Sequence, residues 1–341
     1  MPTDNVLVST RGLCKRFKTR VATGKGWQKK TVNAVTDVSL DIVAGETLAL
    51  VGESGCGKTT LGRMLSLFYK PSEGDLSLKG ENIAALTAKQ VKPLRRHVQM
   101  IFQDPMSSLN PRHTIEAILT EPLKFFSSDN AQLRREKAVE LLEAVGLSER
   151  SLRKYPHEFS GGQRQRIVIA RALILHPAFV VADEPVSALD VSVQSQILNL
   201  LKDLREQFNL TYLFISHDLA VVHHLADRVA VMYLGRIVEV GERDNLFQNP
   251  RHPYTQALLS SVPGVVPNKS KIGKVLHGDP PSPISPPQGC PFHPRCPQAQ
   301  DQCRKTMPAL EVADSASTHQ VACHFAEQVV EQTVIEEVVQ L

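Results

Sequence analysis

The segment Gly52-Glu53-Ser54-Gly55-Cys56-Gly57-Lys58-Thr59 constrains the fold more than any other part of the sequence. It follows the apolar and β-branched run Thr47–Val51, and a helical pattern begins after it, near Thr60. Glycines let the backbone curl so that its N–H groups point toward one anion, and a helix that starts there adds its positive N-terminal end. A strand, a glycine-rich turn and a helix in this order predict a phosphate-binding loop in an α/β domain.

The residue types in this loop predict how it holds a nucleotide. We expect the backbone to surround the phosphates, Lys58 to reach the β- and γ-phosphates, and Thr59 to bind Mg²⁺. A nucleoside triphosphate with Mg²⁺ is therefore the expected ligand. The loop residues predicted to contact it are Gly52, Ser54, Gly55, Cys56, Gly57, Lys58, Thr59 and Thr60.

Two carboxylates follow a second apolar run, Ala178–Ala182. A strand that ends in a carboxylate can deliver it to the metal side of the phosphates, so Asp183 is expected to bind Mg²⁺. Glu184 comes one residue later and is then placed to polarise an attacking water. The alternative is a buried strand that ends in a solvated acidic pair.

Two further polar residues come directly after predicted strands. Gln103 follows Val98–Phe102, and His217 follows Thr211–Ser216. A single histidine after a strand is most often structural. At the carboxyl end of a strand in an open α/β sheet, however, it could contact the γ-phosphate. The residues alone leave both interpretations open.

The order of the patterns predicts the fold class. Buried strands alternate with the helical patterns Thr60–Tyr69, Gly161–Leu175 and Val191–Phe208, which indicates an α/β core with a mainly parallel sheet. Residues of about 104–160 lack a good strand pattern and predict an inserted helical subdomain. Its clearest helix is Asn130–Val145, with Gly146 as the stop.

Both ends of the chain depart from that alternation. Two strand-like stretches, Val6–Leu13 and Val32–Ile42, flank a basic loop around Trp27 and predict an antiparallel β edge. Eight prolines lie between residues 280 and 297, where regular structure cannot persist. We therefore predict a core over residues 1–250, a small separate Pro/Cys-rich extension over 251–326, and a mobile tail over 327–341.

The composition of the chain indicates where the protein is expected in the cell and which classes of partner it is expected to have. Lys and Arg number 39 against 35 Asp and Glu, a net charge of +4 that gives little reason to expect nucleic acid as a partner. The sequence has no apolar run near the roughly 18 residues that span a bilayer, and its N-terminus lacks a secretory h-region. We expect a cytosolic protein that meets a membrane only through partners.

The segment Ser160-Gly161-Gly162-Gln163-Arg164-Gln165-Arg166 resembles the signature segment of ABC ATPases. It also precedes the Asp183 strand, as in that family. The resemblance implies that the nucleotide is ATP and that two subunits sandwich it. The residues implied to bind the γ-phosphate held by the opposite subunit are Ser160, Gly161, Gly162 and Gln163.

The remaining landmarks of the family fall on single positions. The resemblance implies that Gln103 senses the nucleotide, binds Mg²⁺ with Thr59 and Asp183, and links to the transmembrane partner. It implies a switch histidine at His217, so that the catalytic set is Glu184, His217 and Gln103. Further implied positions are the dimer-interface loop Ser187-Ala188-Leu189-Asp190 and the adenine-stacking Phe17, where the family more often has Tyr.

Two segments resemble the dipeptide and oligopeptide importers in particular, above all their F-type ATP-binding subunit. They are Ser107-Ser108-Leu109-Asn110-Pro111-Arg112 and Asn249-Pro250-Arg251-His252-Pro253-Tyr254-Thr255. The resemblance implies a peripheral subunit on the cytoplasmic face of the cell membrane that powers peptide import. Its implied partners are a second, related ATPase, two permeases and an extracellular or periplasmic peptide-binding protein. Nickel, glutathione or antimicrobial peptides remain alternative cargoes, and a soluble ATPase acting on ribosomes or DNA is a more distant alternative.

Four cysteines of the extension lie within 34 residues of each other, at Cys290, Cys296, Cys303 and Cys323. Four thiolates suit zinc or an iron–sulfur cluster, and His293, His319 or His324 could replace a ligand. The spacing does not choose between these metals, and free structural thiols remain a third interpretation. The resemblance to peptide importers implies a [4Fe–4S] cluster that staples the extension.

Overall fold

The computed structural model describes residues 5–23, 26–260, 278–313 and 318–326. The strands are β1 (Val6–Thr23), β2 (Gly26–Val43), β3 (Thr47–Val51), β4 (Glu73–Leu78), β5 (Glu81–Asn82), β6 (Val98–Ile101), β7 (Phe179–Asp183), β8 (Thr211–Ile215), β9 (Arg228–Tyr233), β10 (Arg236–Glu242), β11 (Glu311–Val312) and β12 (Gln320–Val321). The helices are α1 (Lys58–Leu65), α2 (Ala88–Leu94), α3 (Pro105–Ser108), α4 (Ile115–Phe126), α5 (Ala131–Ala144), α6 (Gly161–Leu173), α7 (Val191–Phe208), α8 (Leu219–Leu225), α9 (Arg243–Gln248), α10 (Pro253–Ser260) and α11 (Asp301–Lys305). Within these described ranges, 3₁₀ turns occupy Glu149–Arg153, Pro156–Glu158 and His293–Arg295.

The larger sheet has the strand order β11-β12-β10-β9-β3-β8-β7-β6. Strands β9, β3, β8, β7 and β6 run parallel, and the strands beyond them are antiparallel. Every residue of β3, β7 and β8 is buried, which is typical of parallel strands covered on both faces. The predicted α/β core is confirmed. The carboxyl ends of these strands lie side by side, where open α/β sheets bind their ligands.

The antiparallel strands at the N-terminus form a sheet of their own, with the order β2-β1-β4-β5. The prediction placed an antiparallel edge there and a loop around Trp27. In the structure Trp27 belongs to β2 instead, because the pairing of β1 with β2 continues past Ala22 opposite Trp27 to Thr23 opposite Gly26. Strand β4 has no clear pattern in the sequence, because its first three residues are exposed and it buries only Leu76 and Leu78.

The helical insertion has the predicted character. Residues 104–160 contain α3, α4, α5 and two 3₁₀ turns and no strand. Asn130 caps α5, since its side chain accepts a hydrogen bond from the backbone N–H of Leu133 at 2.9 Å. Gly146 follows the helix with φ of 74°, as the predicted stop requires. The buried face of α5 packs in one core with α6 and consists of Ala138, Leu141 and Leu142.

The C-terminal extension shares its sheet and its core with the rest of the chain. Strand β12 pairs with β10, and the buried ring of Phe292 packs on Tyr233 and Tyr254. The described part of the extension thus packs on the core, and the predicted boundary of a separate module over 251–326 stays a prediction. The predicted tail over 327–341 lies outside the described residues. Among those that are described, no helix is both long and apolar enough to cross a bilayer.

Glu239, a fully buried residue of β10, links the core to the extension. Its carboxylate accepts hydrogen bonds from the backbone N–H groups of Arg251 at 2.6 Å and His252 at 3.1 Å, and it lies 2.7 Å from Nε2 of His319. Burial lowers the pKa of His252 to about 4, against the opposing effect of the Glu239 charge. His252 is therefore neutral, and its Nδ1 accepts from the N–H of Tyr254 at 3.0 Å.

Replacing Glu239 by Ala should destabilise the protein, because it leaves the buried N–H of His252 and the partly buried N–H of Arg251 without their acceptor. We expect the free energy of unfolding to fall by about 3 kcal/mol in urea titrations. The matched control is Glu242→Ala, at an exposed position of the same strand, which should change it by less than about 0.5 kcal/mol. Equal effects of the two substitutions would contradict the linking role of Glu239.

Candidate nucleotide-binding site

The phosphate loop, defined as Gly52–Thr59, joins β3 to α1. Gly52 and Gly57 have φ of 151° and 110°, and a Cβ atom on either would lie 2.2 Å from a backbone oxygen, that of Met232 or Ala34. Only glycine can occupy these positions without moving the neighbouring strands. The loop backbone therefore packs closely against β9 on one side and β2 on the other.

The buried side chain of Lys58 turns back across the loop. Its Nζ donates hydrogen bonds to the carbonyl oxygens of Gly52 at 2.8 Å and Glu53 at 3.0 Å. Cys56 is also buried in the loop, and burial raises the pKa of its thiol. The ammonium group thus bonds to the loop backbone, and its contact with the β- and γ-phosphates stays a prediction.

Thr59 and Asp183 come together at the carboxyl ends of β3 and β7. The Thr59 hydroxyl donates to Oδ1 of Asp183 at 3.0 Å. Burial raises the pKa of Asp183, and the nearby charge of Glu184 raises it further, while the Thr59 hydrogen bond lowers it. A hydroxyl and a carboxylate at this separation form a hard oxygen donor pair of the kind that Mg²⁺ prefers.

The three residues predicted to be catalytic lie together, with Gln103 and His217 both in contact with Glu184. Its carboxylate accepts a hydrogen bond from Nε2 of Gln103 at 2.9 Å and lies 3.1 Å from Nδ1 of His217. Glu184 has φ of 47°, a left-handed conformation that is costly for a residue other than glycine. The side chain is 19% exposed and lines a cavity of about 70 Å³ with Ser187 and His217.

The segment Ser160–Gln163 begins α6. The Ser160 hydroxyl accepts from the Gln163 N–H at 3.3 Å, and the Gln163 side chain accepts from the Ser160 N–H at 3.1 Å, which forms a capping box. Ser160 and Gly161 are exposed. Among the residues that the structure describes, no hydrogen bond joins this segment to the phosphate loop, so the predicted site residues fall into two separate groups.

Phe17 lies in β1, outside both groups. Its ring meets the ring of Tyr69 edge to face, with the centroids 5.6 Å apart. The ammonium of Lys15 lies 5.3 Å from the Phe17 centroid and 5.5 Å from that of Tyr69. The structure thus shows an aromatic pair with a cation beside it, and adenine stacking on Phe17 stays a prediction.

The four cysteines of the extension line one cavity of about 20 Å³, and none of the six cysteines is in a disulfide. Burial raises the pKa of the Cys290 thiol. It also raises the pKa of Cys296 to about 12 and the pKa of Cys323 to about 11. Within the described part of the chain, no group of three His, Cys, Asp or Glu side chains is arranged to hold a single metal ion.

Contacts between the extension and the phosphate loop, which the sequence does not predict, complete the surroundings of Glu53. The Arg295 guanidinium forms a bidentate ion pair with Glu53, with N–O distances of 2.8 and 2.9 Å, and the Tyr254 hydroxyl accepts from the Glu53 N–H at 2.8 Å. Tyr254 belongs to the segment Asn249–Thr255, which resembles the peptide importers, but that resemblance does not predict a contact with Glu53. No pattern in the sequence pairs positions 242 residues apart.

The fold and this loop together define an ABC-type nucleotide-binding domain. Residues 35–187 match the family model of the ABC transporter, and residues 238–303 match the model of the oligopeptide/dipeptide transporter, C-terminal region. The dimeric ATP-binding cassette MJ0796 in a post-hydrolysis state with ADP and Pi superimposes with a TM-score of 0.62 at 29% identity, over 70% of this chain and 99% of that one.

Relatives of this chain show which group of ABC transporter proteins it belongs to. The chain is 53% identical to the oligopeptide transport ATP-binding protein AppF of Bacillus subtilis (strain 168), over 86% of this chain and 90% of that protein. It is 48% identical to the di/tripeptide transport ATP-binding protein DppF of Pseudomonas aeruginosa (strain UCBPP-PA14), over 94% and 98% respectively. The chain belongs to the ATP-binding proteins of the oligopeptide and dipeptide ABC transporters, a family of ATP-hydrolysing subunits.

Proposed function

We propose that this chain hydrolyses ATP to power the import of dipeptides or oligopeptides through membrane subunits that it binds. The observation that carries the proposal is the meeting of Glu184, Gln103 and His217 beside the phosphate loop, in a chain whose extension matches the peptide-transporter region. The named activities of the relatives support peptides as cargo, in preference to nickel or glutathione.

ATP binds in this proposal with its phosphates on the loop backbone. Lys58 exchanges its carbonyl partners for the β- and γ-phosphates, and Mg²⁺ binds to Thr59 and Asp183, with Gln103 reaching the same ion. The short distance between the Thr59 hydroxyl and the Asp183 carboxylate supports this donor set. Adenine would stack near Phe17, where an aromatic pair is available.

Glu184 orients the attacking water, and Gln103 and His217 hold its carboxylate. Phosphoryl transfer depends mainly on positioning and on charge stabilisation, so a carboxylate fixed by two partners suits the role. The left-handed backbone of Glu184 supports a functional demand at this position, because such a conformation costs about 1–3 kcal/mol. His217 would then respond to the γ-phosphate.

A second ATPase subunit completes the site. Ser160–Gln163 lies apart from the phosphate loop of its own chain and presents an exposed helix start, which is a ready site for an anion. We propose that this segment meets the γ-phosphate of a related partner ATPase, with Ser187–Asp190 at the interface. The solved cassette that this fold resembles is dimeric.

Two permeases and an extracellular or periplasmic peptide-binding protein are the further proposed partners, with the chain peripheral on the cytoplasmic face of the membrane. The exposed side chains of Met106 and Phe125, on α3 and α4, support a docking groove near Gln103. Arg164 and Arg171 of α6 contact the same region through Met106 and Ser108, so docking there would reach the signature helix. Nucleic acid has no place in this proposal.

Replacing Glu184 by Gln should separate binding from turnover. The amide keeps the size of the side chain but cannot polarise water, so Mg-ATP should still bind while hydrolysis falls by about a hundredfold or more. Phosphate release and nucleotide titration measure the two effects, and a nucleotide-bound dimer should accumulate. Normal hydrolysis by the variant would contradict the proposed role of Glu184.

Peptide import can be measured in the source cell. A chromosomal Glu184→Gln substitution should abolish the uptake of labelled di- and oligopeptides, whereas Glu206→Gln, at an exposed position of α7, should leave it intact. Nickel and glutathione uptake serve as parallel measurements. Unchanged peptide uptake together with loss of one of those cargoes would contradict the peptide assignment.

We also propose that the four cysteines of the extension hold a [4Fe–4S] cluster. The support is that four soft donors line one cavity, and thiolates are the ligands of such clusters; zinc bound by the same thiolates is the alternative. The cluster would supply a covalent staple, and the chain's own residues would do the ATP chemistry.

Protein purified without oxygen should be brown and contain about four iron and four sulfide ions per chain. Cys303→Ser should lower both contents, because it removes one thiolate ligand. The control Cys14→Ser, at a buried cysteine of β1 outside the extension, should keep them. Zinc without iron, or iron unaffected by Cys303→Ser, would contradict the cluster.

A further inference from the structure

Every polar group of Glu53, in the phosphate loop, has a partner. Its N–H donates to the hydroxyl of Tyr254, its carbonyl oxygen accepts from Nζ of Lys58 and from the N–H of Cys56, and its two carboxylate oxygens both bond to Arg295. Two of these partners come from the extension, and the other two belong to the loop itself. The extension thus contacts the loop at its backbone and at its charged side chain.

When a nucleotide binds, the contacts of Glu53 with Tyr254 and Arg295 can remain, whereas its contact with Lys58 is lost. On the proposed function, Lys58 turns toward the β- and γ-phosphates and gives up the Glu53 carbonyl. Tyr254 and Arg295 bond to the N–H and the carboxylate of Glu53, which the phosphates do not need. They are the contacts that can hold this residue while ATP is bound.

One buried aromatic cluster fixes both of these partners. The rings of Tyr233, Tyr254 and Phe292 have centroids 4.7 to 5.4 Å apart. The Arg295 guanidinium lies 5.9 Å from the Tyr233 centroid, and its backbone N–H donates to the Phe292 carbonyl at 2.9 Å. The Arg295 side chain is only 6% exposed, so its planar fork is held in one orientation.

The negative charge of Glu53 opposes the binding of a nucleotide unless Arg295 neutralises it. Its side chain is 24% exposed, and it belongs to the loop that must receive a triphosphate with several negative charges. Like charges within a Debye length of about 8 Å repel, and partial burial weakens the screening. A bidentate guanidinium cancels the charge of the carboxylate and ties it to the extension.

We propose that Arg295 and Tyr254 are positioning residues for the phosphate loop, so that the C-terminal extension is part of the ATP site of this chain. Arg295 neutralises and anchors the Glu53 side chain, and Tyr254 holds the backbone of the same residue. Arg295 directly precedes Cys296, so the four-cysteine module also sets the position of the guanidinium. The inference rests on the proposed role of the loop in binding ATP.

The test is equilibrium titration of the full-length chain with Mg²⁺ and a fluorescent N-methylanthraniloyl ATP analogue. Arg295→Met keeps the apolar stem and removes the charge, and it should weaken binding about tenfold, since it leaves the Glu53 carboxylate unpaired beside the phosphates. Arg295→Lys should lose less, because one charge-assisted contact remains. Tyr254→Phe should weaken binding as well, with the Glu53 charge still paired.

The diagnostic variant is Arg295→Met combined with Glu53→Gln. If Arg295 acts by neutralising Glu53, removing that charge restores most of the lost affinity, which damage to the fold could not do. Arg304→Met is the matched control, at an exposed position of the same module, and should bind like the wild type. Thermal melts of each variant report any loss of fold separately.

Three outcomes decide the matter. Weak binding by Arg295→Met with recovery in the double variant supports the inference. Wild-type affinity in Arg295→Met, or an equal loss with and without Glu53→Gln, overturns it. Absence of binding by the wild-type chain would instead refute the proposed ATP site, so the two failures are distinguishable.

Discussion

The close approach of the phosphate loop to two strands is the constraint on which the rest of the structure depends. Gly52 and Gly57 bring the loop against the backbone of β9 and β2, at distances where a Cβ atom has no room. The loop is thereby fixed to the parallel sheet and to the antiparallel sheet at once. This fixed bend lets Lys58, Thr59 and the start of α1 face the carboxyl end of β7, two strands away in the sheet, where Asp183 and Glu184 lie.

The same loop is bounded on its third side by the C-terminal extension. Glu239 of β10 accepts hydrogen bonds from the backbone of the extension. The aromatic cluster around Phe292 positions Tyr254 and Arg295 to bond to Glu53. Buried hydrogen bonds and a buried guanidinium are expensive to leave unpaired, so these contacts hold the extension in one position. The extension therefore packs directly against the phosphate loop.

Much of this arrangement could be predicted from local sequence. A glycine-rich turn, an apolar strand ending in Asp183 and a capped helix at Ser160 each carry their chemistry within a few residues, and α7 has the predicted bounds. The helix α1 and the hairpin of β1 and β2 differ from the prediction because packing, not propensity, sets their ends. The pairing of Arg295 with Glu53 has no local pattern, because it depends on how the extension folds back across 242 residues.

The central claim is that the phosphate loop binds one nucleotide per chain through its backbone and Lys58. Calorimetric titration of Mg-ATP into the purified full-length chain tests it most directly, with Lys58→Ala as the comparison. The account predicts saturable binding of one nucleotide per wild-type chain and an affinity lower by about tenfold or more in the variant. Absence of binding by the wild type, or equal affinities of the two chains, would contradict it.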